Sequence, residues 1–321
     1  MSNVIRDVVD DINKTVGKRW HGLDPLLPEP GDLPEGCMEP LVANGEDGRP
    51  AGVGICFHQR IPDDSLLQTW GPANQYVLSL RLCGPDTFPA ADELLTKWRD
   101  HLAGIPGTRE PDTGATVSWP SRDVTGVRAL LRHGLQATTV IAARTARRVP
   151  PAGADAPPGL VIRSACPDDL DVVTELELGV AAWDAQFGSA VMRPATEALM
   201  RREAEAYLAK PSPWTWLAVR DRRPVGLIVV QPPQDAAWIA GMTSAAAPAY
   251  LSSMFVRPDE RGGGVGAALV KRAHEELDAQ GVAVTLLHHG QMNPVSAPFW
   301  YRMGYRPLWT TWDTRPAATL R

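Results

Sequence analysis

Cysteine is scarce in this chain of 321 residues: there are four, Cys37, Cys56, Cys83 and Cys166, widely spaced and without a Cys-x-x-Cys pair. That argues against a disulfide framework or a metal site and predicts reduced, mostly buried thiols in a cytoplasmic protein. An excess of one charge is missing too. Lys and Arg total 32 against 37 Asp and Glu, a formal net charge of −5, so the chain offers no basic field to a nucleic acid. No apolar run is long enough to span a bilayer. The opening MSNVIRDVVDDINK has acids where a signal peptide would have its apolar stretch. What is plentiful is Gly (28) and Pro (30), which implies many turns and some true linkers. With 44% hydrophobic and 21% charged residues the composition is that of a globular protein, and the length suggests two domains at roughly 150 residues each.

The strongest boundary is Val149-Pro150-Pro151-Ala152-Gly153-Ala154-Asp155-Ala156-Pro157-Pro158. Its prolines can hold neither a helix nor a central strand. Residues 149–158 therefore read as a linker between residues 1–148 and 159–321. In the first part, Val4, Ile5, Val8, Val9 and Ile12 recur at helical spacing. A Pro-rich segment follows, then strands at Glu39–Ala43, Ala51–His58 and Gln75–Leu82, a helix at Pro89–Leu102, a strand at Ala115–Trp119, a helix at Asp123–His133 ended by Gly134, and a strand at Thr138–Arg144. In the second part, helices are predicted at Asp168–Ala181 and Thr196–Ala209. A hairpin pairs Trp214–Arg220 with Val225–Gln231, and a loop fills 232–248. After it come a strand at Tyr250–Val256, a helix at Gly264–Gln280, a strand at Val282–His288, a helix at Ser296–Met303 and a strand at Tyr305–Trp312.

One stretch carries chemistry: Met254-Phe255-Val256-Arg257-Pro258-Asp259-Glu260-Arg261-Gly262-Gly263-Gly264-Val265-Gly266-Ala267. A strand runs into a glycine-rich turn and then a helix. Glycines let a backbone approach an anion, and the first N–H groups of a helix lack internal partners and carry the positive end of its dipole. This is a pyrophosphate cradle that needs no lysine. A Walker loop would end in Gly-Lys-Ser/Thr, and Ala267-Ala268-Leu269 stand there instead. A dinucleotide fingerprint fits only superficially: Pro258–Arg261 separate strand from glycines, and the next strand ends in His288-His289 without an acid for a ribose.

These residues resemble the GCN5-related N-acetyltransferase (GNAT) superfamily. Arg261-Gly262-Gly263-Gly264-Val265-Gly266 matches its R/Q-x-x-G-x-G/A acyl-CoA motif. Asn293-Pro294-Val295-Ser296-Ala297-Pro298-Phe299-Trp300, followed by Gly304-Tyr305, is similar to its second motif. The likeness covers about residues 159–321. It implies acetyl-CoA or another acyl-CoA as co-substrate, with no metal. Met254, Phe255 and Val256 would offer backbone groups to pantetheine, Arg261, Gly262, Gly263, Gly264, Val265, Gly266 and Ala267 would hold the pyrophosphate, and Asn293 would sit near the thioester. Asn293 also reads as a helix N-cap.

Transfer to an amine needs a base, donors for an oxyanion, and help for the leaving thiolate. Where the family often has a tyrosine acid, this chain has Trp300, whose indole cannot deliver a proton. Tyr301 lies about 100° further round the helix and is either that acid or a packing residue. Where some members have a glutamate base, this chain has His288, with His289 expected on the opposite strand face. His288 is read as the base or as a core histidine, and His274 as a surface residue. Trp183, Asp184 and Phe187 could receive an ammonium group, and Trp238 and Asp235 could cover the cleft. Strand, helix, strand, helix, strand after Gln75 repeats the order after Tyr250, without the cradle. The expected fold is therefore α+β (mixed α/β): two tandem GNAT-like domains, each a twisted, mixed, largely antiparallel sheet flanked by helices, the first degenerate and binding no CoA in the usual way. The reading is an acyl-CoA-dependent N-acetyltransferase acting on a small-molecule amine, monomeric or homodimeric. A non-catalytic acyl-CoA sensor and a protein N-acetyltransferase are the alternatives.

Overall fold

The computed structural model describes residues 3–31, 37, 40–146 and 157–321. Most of the predicted linker falls outside these, and so does the start of the strand expected at Glu39. The chain opens with α1 (Asn3–Leu23), which buries Val9, Ile12, Val16 and Trp20 at helical spacing. The first part continues with β1 (Leu41–Asn44), β2 (Pro50–Arg60), β3 (Asn74–Leu82), α2 (Phe88–Ala103), β4 (Thr113–Pro120), α3 (Val124–Arg132) and β5 (Gln136–Thr145). The second comprises β6 (Leu160–Ser164), α4 (Leu170–Ala185), α5 (Thr196–Leu208), β7 (Thr215–Arg220), β8 (Arg223–Gln231), β9 (Ala249–Val256), α6 (Val265–Ala279), β10 (Val284–Gly290), α7 (Ser296–Arg302) and β11 (Arg306–Thr314). The predicted elements are present. The edge strand β6 had no counterpart in the sequence reading.

Two repeats are visible in the pairing. β1-β2-β3 and β7-β8-β9 are antiparallel meanders. β3 pairs parallel with β4 across α2, and β9 pairs parallel with β10 across α6. The expectation of a separate sheet for each half needs correcting. Among the described residues all strands form one 11-stranded sheet in the order β1-β2-β3-β4-β11-β5-β10-β9-β8-β7-β6. The halves exchange their last strands: β11 pairs with β4, β5 pairs with β10, and the two run antiparallel to each other. The physical reason lies in β5, where Val140, Ile141, Ala142 and Ala143 are consecutive and all buried. Such a run needs cover on both faces and a partner on both edges, as in the middle of a sheet.

Alternation along the strands then sorts the helices. Leu217, Leu227 and Val229 pack on Val173, Leu176, Ala204 and Leu208 of α4 and α5. Trp216, Ile228 and Val230 face the other way, onto Val265, Leu269 and Ala273 of α6. The exchange predicts that residues 157–321 expressed alone leave β10 and β11 without the strand between them, exposing unpaired edges. We expect that fragment to aggregate, and co-expression with residues 1–148 to give a soluble complex by size-exclusion chromatography. A monomeric, cooperatively melting 157–321 fragment would contradict the topology.

Candidate active site

The site begins where β9 and β10 part. Their parallel register covers Thr285↔Ala249, Leu286↔Tyr250 and Leu287↔Leu251, and then stops. Beyond it β9 keeps β8 on one side, with a register shift at Val229/Val230 that makes Ser252 an extra residue. The other edge of β9, from Ser252 onward, faces a wedge. The Ser252 hydroxyl is buried there without a partner among the described residues. Backbone groups of Met254 to Val256 thus border a gap that an extended ligand could fill as a strand would.

At the wide end of the wedge lies the cradle. Val256 is followed by a 3-10 turn at Pro258–Glu260 and then the glycines. Gly262 and Gly264 have φ of +80° and +83°, a region open to glycine at little cost. Ion pairs Arg220–Glu260 (2.7 Å), Arg223–Asp259 (2.8 Å) and Arg257–Glu175 (2.8 Å) pin the turn. α6 starts at Val265 with Gly264 as its N-cap, so the N–H groups of Val265, Gly266 and Ala267 are the unpaired ones. A Cβ on Gly266 would sit 3.3 Å from the Phe299 ring, so this glycine also lets α7 come close. Arg261 Nε donates to the Val256 carbonyl at 3.0 Å, and its guanidinium lies 4.0 Å from the centre of the Trp183 ring. Burial lowers its pKa from the usual arginine value.

The cradle opens into a cavity of about 1180 Å³. Its far wall comes from the first half, including Gln59, Leu67, Trp70, Gln75 and Thr116, and from the exchanged strands, with Thr138 and Thr139 of β5 and Thr311 and Asp313 of β11. The chamber is thus a product of the strand exchange. On α4, Glu177, Val180 and Asp184 line it at helical spacing. Glu177 accepts from the Tyr207 hydroxyl at 3.0 Å, and burial pushes its carboxyl up to about 7. The Tyr207 hydrogen bond opposes that shift, and neighbouring Glu203 adds to it. Burial also raises Glu203 and Asp184. The sequence reading missed Glu177. Its signal was the i, i+3, i+7 stripe with Asp184.

The histidines depart from expectation. His288 and His289 alternate across the strand, yet both line the cavity, because it passes through the wedge and reaches both faces. His288 opens into the chamber, with Nδ1 2.9 Å from the Tyr250 hydroxyl and Trp238 stacked nearby. Although His288 itself is exposed within the chamber, the protein packed around it lowers its pKa to about 4, with His289 adding to the effect. His289 is 4% exposed, and its Nε2 has no partner among the described residues. Trp300 is buried between Phe299 and Tyr305, a packing position on the cavity wall. Tyr301 is 40% exposed, has its ring against His289, and is not among the cavity-lining residues.

The ammonium receptor expected at Trp183, Asp184 and Phe187 is otherwise engaged. Arg261 covers Trp183. Asp184 accepts from Asn293 Nδ2 at 2.8 Å, and Phe187 packs edge-on to Trp183 outside the cavity lining. Asn293 Oδ1 also accepts from the Val295 N–H, the turn that heads α7. Trp238 lines the cavity as expected, whereas Asp235 pairs with Lys210 at 2.7 Å. His274 is hydrogen-bonded to the Tyr305 hydroxyl rather than lying free on the surface. Only Cys56 of the thiols is fully buried, and Cys166 is exposed.

In the first half the equivalent wedge is plugged. Arg19 of α1 donates to the Gly84 carbonyl after β3, and to Asp123 (2.7 Å) and Thr125 (3.0 Å) at the head of α3. It bridges the positions that correspond to the cradle and to Asn293.

Comparison with known proteins finds likenesses of sequence and of fold. The sequence profile of the acetyltransferase (GNAT) family matches residues 181–305. No curated protein matches the chain. Among solved structures, the GCN5-related N-acetyltransferase from Sphaerobacter thermophilus superposes with a TM-score of 0.54 at 17% identity, covering 88% of this chain and 83% of that one. This likeness is one of fold. The acetyltransferase from the GNAT family of Colwellia psychrerythraea gives 0.48 at 11% identity, over 84% and 83% of the two chains. A tandem GNAT protein from the clavulanic acid biosynthesis pathway gives 0.43 at 16%, over 95% of each.

Proposed function

We propose that this chain, whose residues 181–305 match the acetyltransferase (GNAT) family profile, is an acyl-CoA-dependent N-acyltransferase whose acceptor is the primary amine of a small molecule. One observation carries the reading: a single cavity joins the glycine cradle of the second half to a chamber walled by both halves. A chamber walled by two domains suits a small acceptor better than a protein tail.

The residues fit acyl-CoA. Gly264 crowds Pro157 at 3.2 Å if given a Cβ, Gly262 and Gly264 hold positive φ, and Ser252 leaves an orphaned hydroxyl on the wedge. When bound, acyl-CoA supplies an activated thioester for direct attack by the amine. Gly262 to Ala267 would hold its pyrophosphate and Met254 to Val256 its pantetheine. Backbone N–H groups beyond the Ser252 bulge can donate to the oxyanion at no reorganisation cost.

An amine arrives as ammonium and must first lose a proton. Both Glu177 and His288 face the chamber. A base is most effective with a pKa near the working pH. Glu177, which lines the chamber beside Tyr207 and is held up to about 7 by burial, meets that condition. Glu177 therefore takes the base role, and His288, held by Tyr250, shapes the wall. The test is steady-state release of CoA thiol with acetyl-CoA and a panel of amines, amino sugars and peptide N-termini. Turnover confined to small amines is expected. Tight acyl-CoA binding with no turnover on any of them would point to a sensor instead.

A further inference from the structure

We propose that the acceptor carries its primary amine on a hydroxyl-rich ring, as an amino sugar or an aminocyclitol does, and that the floor of the chamber reads those hydroxyls. This rests on the transferase reading above and names the chemical class of its acceptor.

Neighbouring strands β2, β3, β4, β11 and β5 make that floor. Their registers pair Gln59 with Gln75, Val77 with Thr116, Thr116 with Asp313, and Thr311 with Thr139. Paired residues share a face of the sheet, and so do residues two apart in a strand. Gln59, Gln75, Thr116, Asp313, Thr311 and Thr139 therefore form one polar patch, and all of them line the cavity. Further along, the same face is apolar. Val53, Ile141 and Trp309, from β2, β5 and β11, pack with Val9, Ile12, Val16 and Trp20 of α1. Ile141 precedes Thr139 on its face, and Trp309 precedes Thr311, so the character changes within one side-chain step. The opposite face stays apolar beneath the patch, with Ala115, Val117 and Trp312 buried in the core of the first half.

The kind of polarity selects the ligand. A face that merely meets water ordinarily carries charges of both signs. Among the described residues of these strands that line the chamber, only Asp313 is charged, and Arg315 just past β11 pairs with it at 2.8 Å. An acceptor with a carboxylate or phosphate would find no free cation on this floor. A second ammonium would find no free carboxylate there, and an alkyl chain no apolar surface. Thr hydroxyls and Gln amides both donate and accept, as the hydroxyls of a sugar do. Thr138 uses its hydroxyl on the Thr311 carbonyl at 3.3 Å, whereas the side chains of Thr116, Thr139, Thr311 and Gln59 make no hydrogen bond among the described residues. They are open to a ligand. Such a ring also has C–H faces that favour aromatic cover. Trp70 and Trp238 line the same cavity and are 38% and 55% exposed. Glu177 on α4 then meets the amine while the floor holds the hydroxyls.

The experiment separates hydroxyl recognition from amine basicity by using neutral amides, the products such acceptors would give. N-acetylglucosamine and N-cyclohexylacetamide have six-membered rings, one with hydroxyls and one without. We expect calorimetry with CoA present to show N-acetylglucosamine bound at least about tenfold more tightly. Thr116→Val, Thr139→Val and Thr311→Val keep the side-chain shape and remove the hydroxyl. Each should cut that preference about 3- to 10-fold, a ratio that a general loss of stability would not move. Equal affinity for the two amides in the unaltered protein would overturn the inference, as would a preference left intact by all three variants. Tighter binding of N-acetyl-1,6-diaminohexane would overturn it too, by pointing to a second ammonium held by Glu203 on α5. Selective binding of N-acetylglucosamine, with no release of CoA thiol from acetyl-CoA and any amine, would remove the transferase reading and keep the floor. Turnover of amines without discrimination between the amides would remove only the role of the floor.

Discussion

Gly264→Asp is expected to abolish acyl-CoA binding while leaving the protein folded. Three effects act together. Residue 264 has a φ of +83°, where a side chain costs roughly 1–2 kcal/mol. A Cβ there stands 3.2 Å from Pro157 Cγ, so the segment leading into β6 must give way. Most important, a carboxylate would occupy the anion position at the start of α6 and repel a pyrophosphate that carries the same sign. Calorimetry should show acetyl-CoA affinity reduced at least about 100-fold by the like charge, while the strain, present with or without ligand, lowers the melting temperature by about a few degrees. Gly264→Ala carries the same strain without the charge and should melt lower by a similar amount while keeping acetyl-CoA affinity within about threefold. Unchanged affinity in the aspartate variant would remove the pyrophosphate assignment.

That cradle was legible in the sequence because it is local. Arg261 to Ala267 follow a strand and open a helix, and positive φ at Gly262 and Gly264 is what consecutive glycines before a helix suggest. The repeat was legible for the same reason: strand, helix, strand, helix, strand recurs in each half. The exchange of β5 and β11 was not. Both are final strands with similar patterns, and nothing in either says which half it will join. Only the run Val140–Ala143, apolar on both faces, marked β5 as central. The histidine pair shows another limit. Alternation along β10 correctly sends His288 and His289 to opposite faces, but the wedge beside them opens the cavity to both. Trp183 and Asp184 were placed at the site by their position on α4. What covers them, Arg261 on the ring and Asn293 on the carboxylate, comes from segments far away in the chain.

Glu177→Gln should make the protein slower and more stable at once. For catalysis, the variant cannot accept the ammonium proton, so kcat should fall about 10²- to 10⁴-fold while acetyl-CoA affinity holds. The pH profile should change shape as well. Burial raises the Glu177 carboxyl to about 7. In the unaltered protein, activity should therefore climb as pH passes through that value and the base loses its proton. That limb should vanish in the glutamine variant, leaving the titration of the amine itself. For stability the sign runs the other way. A carboxyl whose pKa is higher folded than unfolded binds protons better in the folded state. Its contribution is fully present below its unfolded value near 4.5 and is lost as pH rises through about 7. At pH 8 the unaltered protein thus holds a desolvated anion, which costs on the order of 2 kcal/mol once water in the cavity is allowed for. Glutamine keeps the shape and can still accept from Tyr207 without the charge. We expect its melting temperature to exceed that of the unaltered protein at pH 8 and to match it near pH 4. A variant that keeps its kcat, or one destabilised at both pH values, would show that Glu177 is a structural acid. A gain in stability paired with a loss of rate would mark strain that the fold maintains for the reaction.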